Sequence, residues 1–408
     1  MNSRCRTETI EVHRRTVTMN MEMNMNKMGK LVLSALSVLG ITACAASSTE
    51  QAEVVGESQD ALVTCNGTVA GGFFGSDTLY NAMQDALAGW GVGGLTYLGT
   101  GSSNGERCLR GSAAVTCGGV TYCNGTSEQM LAPMSRDFST CQAGEKSNPV
   151  ALDAVALWTK STQTATNVTT VAPVPAGLPS LPVDKVKGAF CGDGSGSAAS
   201  CALTDTWGEF AVGSSSPSNA LKLYRRDDVS GTTEVFKQKT GCNTFCASVK
   251  VVVDDTVAGP RLSTDAAGTS SLVSAGTCAA SDSATVCLGK IAASDVNVVA
   301  YAGLDASNAN NKRLSVDGVA PSTANVRALV TSPSTAYKYS RFVYLNEGNG
   351  GYTALQEDFL AWALGRAPYG PSEAELFEDA FENNGFIRCK AKSDPSYAPL
   401  ACGAGLCL

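Results

Sequence analysis

The sequence has almost no histidine and few charged residues for its length. Its 408 residues include one histidine, His13, and only 16% are charged, whereas 44% are hydrophobic. Such a composition is typical of a globular protein and excludes a highly charged, disordered one. With His13 as the only histidine, a serine nucleophile has one candidate for its usual base and zinc has few nitrogen ligands. The formal charge of −7, with no long run of Lys or Arg, argues against nucleic acid as a partner.

The N-terminal segment predicts export. Two lysines precede the apolar run Leu31 to Ile41, which is too short to cross a bilayer comfortably and is typical of a signal peptide. Cys44 follows Ile-Thr-Ala, as in the lipobox of bacterial lipoproteins, so we expect removal of residues 1–43 and acylation of Cys44. An ordinary secretory signal with a chance cysteine is the alternative. The methionine-rich residues 1–27 also fit a start codon assigned too early.

The mature chain would be more acidic and would contain no histidine. Residues 1–43 hold 6 of the 30 basic and 3 of the 37 acidic residues, so their removal leaves a formal charge of −10. Residues 44–63 are polar and are predicted to form a flexible tether. Because an acidic chain gains nothing from an anionic membrane surface, acyl chains on Cys44 would supply the attachment. We therefore expect a lipid-anchored protein of the cell envelope, on the periplasmic side or the outer surface.

The cysteines indicate an oxidising compartment. Of the sixteen, Cys5 would be removed and Cys44 acylated, and the even remainder in an exported chain predicts disulfide bonds. Four pairs lie close in sequence: Cys117/Cys123, Cys191/Cys201, Cys242/Cys246 and Cys278/Cys287. The spacings do not repeat as Cys-x-x-Cys units, so no metal site is expected. The sequence leaves the pairing open.

Apolar and amphipathic segments alternate from Thr64 onward. TVAGGFF and LTYLGTG are predicted strands on either side of a helix, SDTLYNAMQDALAGW, whose start Ser76 or Asp77 would cap. VALDAVALWTK and YKYSRFVYLN are further predicted strands, and YTALQEDFLAWALG is an amphipathic helix. This order predicts α/β domains with mainly parallel sheets.

Three predicted strand ends lead into small hydroxyl residues that open a helix. In GSDTLYNAM these residues are Ser76 and Thr78, and in GTGSSNG they include Ser102. Backbone N–H groups and hydroxyls at a helix start suit an anion, although a plain turn or a capped helix is the alternative for each motif alone. Read as G-x-S-x-G, GTGSSNG would make Ser103 a nucleophile, but the mature chain has no histidine to act as its base.

The third such motif is RRDDVSGTTEVF. Arg226 precedes Ser230-Gly231-Thr232, where a helix that continues from Thr233 to Lys239 is predicted to begin. An arginine beside a helix N-terminus and two hydroxyls suits a tetrahedral oxyanion, because the guanidinium can bind it through two N–H groups. Asp227 and Asp228 would orient that guanidinium. A solvated charged turn is the alternative for this motif alone.

Taken in order, these motifs resemble those of a known family. G-S-D-T-L, G-T-G-S-S-N-G, M-S-R-D and R-R-D-D-V-S-G-T-T resemble the pattern of phosphate-binding proteins from bacterial phosphate ABC transporters, which are class II periplasmic binding proteins. The resemblance covers roughly residues 66–365. It implies two α/β domains joined by hinge crossover strands, with residues 64–157 and 329–408 in domain I and residues 158–328 in domain II.

The resemblance also implies the ligand-binding residues. The phosphate donors would be Thr78, Leu79 through its N–H, Ser102, Arg226, Ser230, Gly231 and Thr232. The family has a carboxylate after Ala-Ser, where this chain reads Met134-Ser135-Arg136-Asp137. Either Asp137 takes that role, shifted by one residue, or Arg136 replaces the carboxylate, and Asp77 is the second candidate. A carboxylate would accept the proton that phosphate keeps near neutral pH and would repel sulfate.

The implied function is capture of inorganic phosphate for an ABC permease or for sensing. The resemblance implies no catalysis, no metal and no cofactor, and a monomer that binds no nucleic acid. Two alternatives come from other classes. An exported phosphoester hydrolase would use a serine such as Ser103, which the lack of histidine disfavours. A ligand-free surface protein would reuse the fold.

Overall fold

The computed structural model describes residues 71–112, 114–117, 120–123, 129–170, 184–227, 230–255, 259–263, 273–274, 276–350 and 353–403. These residues all fall within the unit Glu53–Leu408. The expected signal peptide, the acylation site at Cys44, the tether and residue Asp228 lie outside them, as does the side chain of Asp77.

Strands and helices alternate along the described residues. The strands are β1 Gly72–Gly75, β2 Thr96–Gly99, β3 Val115–Cys117, β4 Val120–Tyr122, β5 Leu131–Met134, β6 Pro149–Ala154, β7 Ala156–Lys160, β8 Asn167–Val168, β9 Ala211–Val212, β10 Lys222–Arg226, β11 Lys250–Asp255, β12 Gly259–Ser263, β13 Val273–Ser274, β14 Val298–Ala302, β15 Asn311–Val316 and β16 Ser340–Glu347. The helices are α1 Tyr80–Trp90, α2 Ser102–Arg110, α3 Lys185–Cys191, α4 Ala198–Cys201, α5 Trp207–Phe210, α6 Gly231–Thr240, α7 Ala284–Ser294, α8 Thr323–Thr331, α9 Ala354–Ala363 and α10 Pro371–Asn383. In this part of the chain, no helix has both the length and the apolar character needed to cross a membrane.

The largest sheet contains nine strands in the order β13-β12-β11-β10-β14-β7-β15-β8-β9. β10 runs parallel to its neighbours β11 and β14, whereas β7 runs antiparallel to β14 and β15. The sheet is therefore mixed, and the prediction of mainly parallel sheets is wrong for it. Direction depends on the connection between strands, because a short turn permits only an antiparallel neighbour, and local residue patterns do not encode it.

The two largest hydrophobic cores among the described residues lie in two lobes. The first lobe contains the antiparallel sheet β5-β16-β6 and the parallel pair β1-β2, and its core includes Phe73, Phe359 and Phe377 from a strand and two helices. The second lobe contains the nine-stranded sheet, and its core includes Trp158 and Tyr301. Each lobe thus buries apolar side chains between a sheet and its helices, as α/β layers do.

The chain passes between the lobes at two adjacent points. The predicted single strand VALDAVALWTK is in fact two strands, because β6 pairs with β16 in the first lobe and β7 pairs with β14 and β15 in the second. Val155, between them, donates its N–H to Tyr339 O at 3.2 Å, just where the chain returns to the first lobe as β16. The single-strand prediction failed because a continuous apolar run carries no periodicity that marks a break.

Disulfide bonds, predicted from the cysteine count, are confirmed. They join Cys108–Cys123, Cys191–Cys242, Cys201–Cys246, Cys278–Cys287 and Cys389–Cys402. Of the four pairs that are close in sequence, Cys278/Cys287 is bonded together. Cys191 and Cys201 are instead each bonded to the segment after α6, so two cross-links fasten α3 and α4 to that segment.

Candidate functional site

Helix α6 begins as the sequence predicts. Ser230 is its N-cap, and the Ser230 hydroxyl accepts a hydrogen bond from the N–H of Thr232 at 3.2 Å. The N–H of Ser230 in turn donates to Asp227 Oδ1 at 3.0 Å. Asp227 therefore fixes the entry of the chain into the helix. The positive end of the helix dipole points out at Gly231 and Thr232.

Hydroxyls from the first lobe surround Gly231. A β-carbon built on this glycine would collide with Thr78 Oγ1 and would lie 3.0 Å from both Ser76 Oγ and Ser135 Oγ. The first turn of α6 also contacts the 3-10 turn Asp77–Leu79. Because this approach needs a residue without a side chain, Gly231 is required here for space.

Ser102 joins the same group of hydroxyls. Its Oγ lies 3.0 Å from Ser135 Oγ and accepts the N–H of Ser135 at 3.1 Å. Ser102 is the first residue of α2, as the sequence predicts, and is buried. We call Ser76, Thr78, Ser102 and Ser135, with Gly231, the hydroxyl cluster. It brings together the three helix starts singled out in the sequence.

Two hydroxyls of the cluster are buried without a partner among the described residues. Ser76 is 0% exposed and Thr78 is 8% exposed, and neither Ser76 Oγ nor Thr78 Oγ1 makes a hydrogen bond there. The prediction that Ser76 caps α1 is therefore wrong, since the helix starts after the 3-10 turn with Leu79 at its N-cap. A buried hydroxyl left unsatisfied costs about 1–3 kcal/mol, which marks these atoms as groups that a ligand could satisfy.

A small cavity adjoins the hydroxyl cluster. Its volume is about 20 Å³, and its lining includes Thr78, Asp153, Thr232, Gly303 and Asp305. That is room for about one water molecule. A tetrahedral oxyanion is larger than this cavity.

Arg341 is a central residue that the sequence analysis missed. It lies on β16, is 5% exposed, and its Nε and Nη2 donate to Asp153 Oδ2 at 2.9 and 2.6 Å. Its Nη1 donates to the carbonyls of Ser135 at 3.2 Å and Gly231 at 3.0 Å. The signal available in the sequence was a lone arginine within the apolar strand SRFVYL, because such a charge is buried only when it has partners.

Arg226 is the last residue of β10 in the second lobe. It is 3% exposed, and its Nη1 donates to Thr285 Oγ1 at 3.1 Å. The methyl of Thr285 lies 3.9 Å from a β-carbon built on Gly303, which lines the cavity. The neighbouring Arg225 is different, because its guanidinium stacks 3.9 Å from the ring centre of Phe245. Of the two arginines, Arg226 is thus the one joined to the cavity wall through Thr285.

Leu79 and Asp137 are not brought into the cluster. The N–H of Leu79 donates to Ser76 O at 3.2 Å, and its side chain is buried in the first lobe's core. Asp137 Oδ1 accepts hydrogen bonds from the hydroxyl of Ser147 and from the N–H of Phe138, the latter at 2.7 Å. Among the described residues, no hydrogen bond joins the Asp137 carboxylate to the hydroxyl cluster. Two other carboxylates, those of Asp153 and Asp305, line the cavity, and Asp153 is buried.

Arg136 connects the lobes beside the cluster. Its Nη1 donates to Glu106 Oε2 at 2.7 Å, and its Nε donates to Glu234 Oε1 of α6 at 2.8 Å. Burial alone would raise the pKa of Glu106, but hydrogen bonds from Ser139 and Arg136, with the charges of Arg136 and Arg110, bring this pKa below its usual value. The guanidinium of Arg136 is therefore engaged by carboxylates.

Ser103 lies where a nucleophile would have little support. Its side chain is exposed, and its hydroxyl accepts a hydrogen bond from Arg136 Nη2 at 3.2 Å. Among the described residues, no group of three His, Cys, Asp or Glu side chains could hold a metal ion. The site consists of hydroxyls, a helix N-terminus and two buried arginines, which are groups that bind an anion.

Comparison with solved structures identifies the fold, whereas comparison of sequences finds no match. No family model matches the sequence, and no curated protein sequence matches it. The structure is similar to an ABC-type phosphate transport receptor from Vibrio cholerae, with a TM-score of 0.50 and 14% identity over 78% of this chain and 98% of that one. A putative phosphate ABC transporter substrate-binding protein with bound phosphate, from Clostridium perfringens, has a TM-score of 0.48 and 17% identity over 78% of this chain and 99% of that one. A possible phosphate-binding protein from Planctomyces limnophilus has a TM-score of 0.48 and 14% identity over 79% of this chain and 94% of that one.

These identities are too low to transfer a function, but the similarity to the Vibrio cholerae receptor spans nearly all of that protein. The described elements of this chain form two α/β lobes, and strands cross between them. The chain therefore shares the α/β fold of that receptor.

Proposed function

We propose that this protein captures inorganic phosphate outside the cytoplasm for an ABC importer or for sensing, and that it is not an enzyme. The observation that carries the proposal is the hydroxyl cluster, in which Ser76 Oγ and Thr78 Oγ1, both without a hydrogen-bond partner among the described residues, adjoin the first residue of α6. Helix N-termini and hydroxyls donate hydrogen bonds to anions, and a helix dipole favours negative charge. The fold of the Vibrio cholerae receptor is consistent with it.

Charge supports the same ligand. The chain is acidic overall, so a phosphate anion is held by local groups against a repulsive net field. Arg226 and Arg341 are both buried and carry positive charge, and Arg341 is bonded to Asp153, which lines the cavity. We assign phosphate contacts to Thr78, Ser102, Arg226, Ser230, Gly231 and Thr232, and we add Ser76 and Ser135 from the hydroxyl cluster.

The test is calorimetric titration of the purified mature chain with inorganic phosphate. We expect one saturable site, and a hundredfold excess of phosphate over Kd should raise the free energy of unfolding by about 2.7 kcal/mol. If phosphate produces neither a heat of binding nor a shift in melting temperature, the proposal is wrong and a ligand-free protein is favoured.

Adjacent serines provide a matched pair of variants. Ser102 is buried in the hydroxyl cluster, whereas Ser103 is exposed and was the nucleophile of the hydrolase alternative. Ser102→Ala should weaken phosphate binding and Ser103→Ala should leave it unchanged. If the parent protein instead turns over a chromogenic phosphoester, and Ser103→Ala stops that turnover, the hydrolase alternative is right.

The proposal includes lipid attachment at Cys44, the expected acylation site. Acyl chains would keep a captured anion near a membrane permease, with the protein acting as a monomer. Cys44→Ser should release the protein from the membrane fraction. Identical fractionation of variant and parent would contradict the lipid anchor without affecting phosphate binding.

A further inference from the structure

Arg341 touches both halves of the hydroxyl cluster. From β16 in the first lobe, its Nη1 donates to the carbonyl of Ser135, which lies in the same lobe, and to that of Gly231 in α6 of the second lobe. The bond to Gly231 exists only when the lobes lie together. Since the acceptor belongs to the first turn of α6, the same turn that faces Ser76 and Thr78, Arg341 sits behind the proposed anion site.

Asp153 holds Arg341 in that position. The two residues are opposite each other in the β6–β16 pairing, immediately beside the points where the chain crosses between lobes. Both donors from Arg341 to Asp153 reach a single oxygen, Oδ2, which leaves Nη1 directed at the two carbonyls. An arginine can do this because its donors form a rigid planar fork, whereas a lysine has one rotatable ammonium.

We propose that Arg341 is a positioning residue that couples anion binding to closure of the two lobes. This inference rests on the proposed function. An anion at the hydroxyl cluster contacts both the first turn of α6 and the first lobe, and the charge-assisted hydrogen bond from Arg341 to Gly231 O stabilises the same approach of the two lobes. Because this bond belongs to the closed form alone, it shifts the equilibrium between open and closed forms and slows release of the anion.

A second contact between the lobes serves as the matched control. Arg136 pairs with Glu234 of α6, but the Glu234 side chain is 34% exposed, so solvent screens that ion pair. Arg341 and Asp153 have side chains that are only 5% and 10% exposed. If any contact between the lobes served equally, Glu234→Gln would affect anion release as much as a change at Arg341.

The experiment measures phosphate association and dissociation rates by stopped flow, with closure followed by small-angle scattering. We expect Arg341→Gln to speed phosphate dissociation by about tenfold or more, as loss of a charge-assisted hydrogen bond predicts, with a nearly unchanged association rate. It should also leave a larger open fraction at saturating phosphate. Glu234→Gln should change dissociation less than threefold, in line with an exposed pair.

Arg341→Lys separates the positioning role from a simple effect of charge. The variant keeps the positive charge but cannot bond Asp153 and the Gly231 carbonyl together. We expect it to release phosphate as fast as Arg341→Gln does. Parent-like release from Arg341→Lys would overturn the inference, and so would a lower melting temperature with unchanged rates in Arg341→Gln.

Loss of one member of a buried ion pair can prevent folding, so a second variant is included. Asp153→Asn with Arg341→Gln replaces the pair by two neutral amides and leaves no uncompensated charge. This folded double variant should show the same fast release, and parent-like rates would overturn the inference. If the parent itself binds no phosphate, the proposed function fails, which is a different result from parent-like rates in the variants.

Discussion

Gly231 and Thr78 fit against each other because the glycine has no side chain. A β-carbon on Gly231 would collide with Thr78 Oγ1 and crowd Ser76 Oγ and Ser135 Oγ at 3.0 Å. One added methyl group on Gly231 is therefore enough to prevent the lobes from meeting in this arrangement.

Gly231→Ala should disrupt the site. Overpacking costs about 1–3 kcal/mol of stability, and we expect phosphate affinity to fall with it as the lobes are pushed apart. Calorimetry and thermal melts would measure both. Gly89→Ala in α1 is the control, because its nearest contact is an ordinary one to Trp362 at 3.7 Å, and alanine in a helix is favourable. Equal losses in both variants would contradict the role of Gly231.

Thr78→Val should separate stability from binding. The Thr78 hydroxyl is buried without a partner among the described residues, so valine removes an unsatisfied group and should leave the melting temperature unchanged or raise it. Phosphate affinity should fall about tenfold with the lost donor. Thr240→Val is the control, since Thr240 Oγ1 already donates to Phe236 O at 2.6 Å and its loss should lower stability without affecting phosphate.

Helix starts were predictable because their signals are local. Ser230 before Gly231 and Thr232 is an N-cap pattern, and α6 begins there as predicted. Ser102 likewise opens α2. Each helix start depends on the conformation of a few adjacent residues, so single motifs were enough to find these two helix starts of the candidate site.

The remaining site residues depend on long-range pairing. Ser135 belongs to the site through Ser102, 33 positions away, and Asp153 through Arg341, 188 positions away. No short motif encodes such distances, so the sequence suggested Asp137, with Asp77 second, as the carboxylate and gave no sign of Asp153. The break at Val155 was missed for a similar reason, because it depends on which sheet each half joins.

Selection against sulfate should not depend on Asp137. Its carboxylate is engaged by Ser147 and the N–H of Phe138, whereas Asp153 lines the cavity. Three described hydrogen bonds use three of the roughly four acceptor positions of the Asp153 carboxylate, which leaves one for the proton of phosphate. In competition binding, we expect Asp137→Asn to keep the parent's preference for phosphate and Asp153→Asn to lose it. The reverse result would restore the assignment made from sequence.

Acid should weaken the contacts around Glu106. The pKa of Glu106 lies below its usual value in the folded protein, so its ionised form stabilises the fold above the unfolded pKa of about 4.3. That stability is lost as the pH falls through the lowered folded pKa. Melting temperatures measured between about pH 3 and pH 5 should therefore fall more steeply in the parent than in Glu106→Gln. Parallel curves would show that Glu106 contributes nothing.

Arg225 and Arg226 are adjacent but should have different roles, the first in stability and the second in phosphate binding. Successive residues of a strand point to opposite faces, and on β10 this directs Arg225 to the ring of Phe245 and Arg226 to Thr285 beside the cavity wall. Arg226→Lys keeps the charge but loses the planar fork that can bind an oxyanion bidentately, so phosphate affinity should fall at least about tenfold. Arg225→Lys should weaken the stacking on Phe245 and lower the melting temperature while phosphate affinity stays close to that of the parent. Calorimetric titrations of both variants, with melts run alongside, make the comparison. A folded Arg226→Lys protein with unchanged affinity would remove Arg226 from the site, and equal losses of affinity in both variants would mean that the arginines act only by supporting the fold.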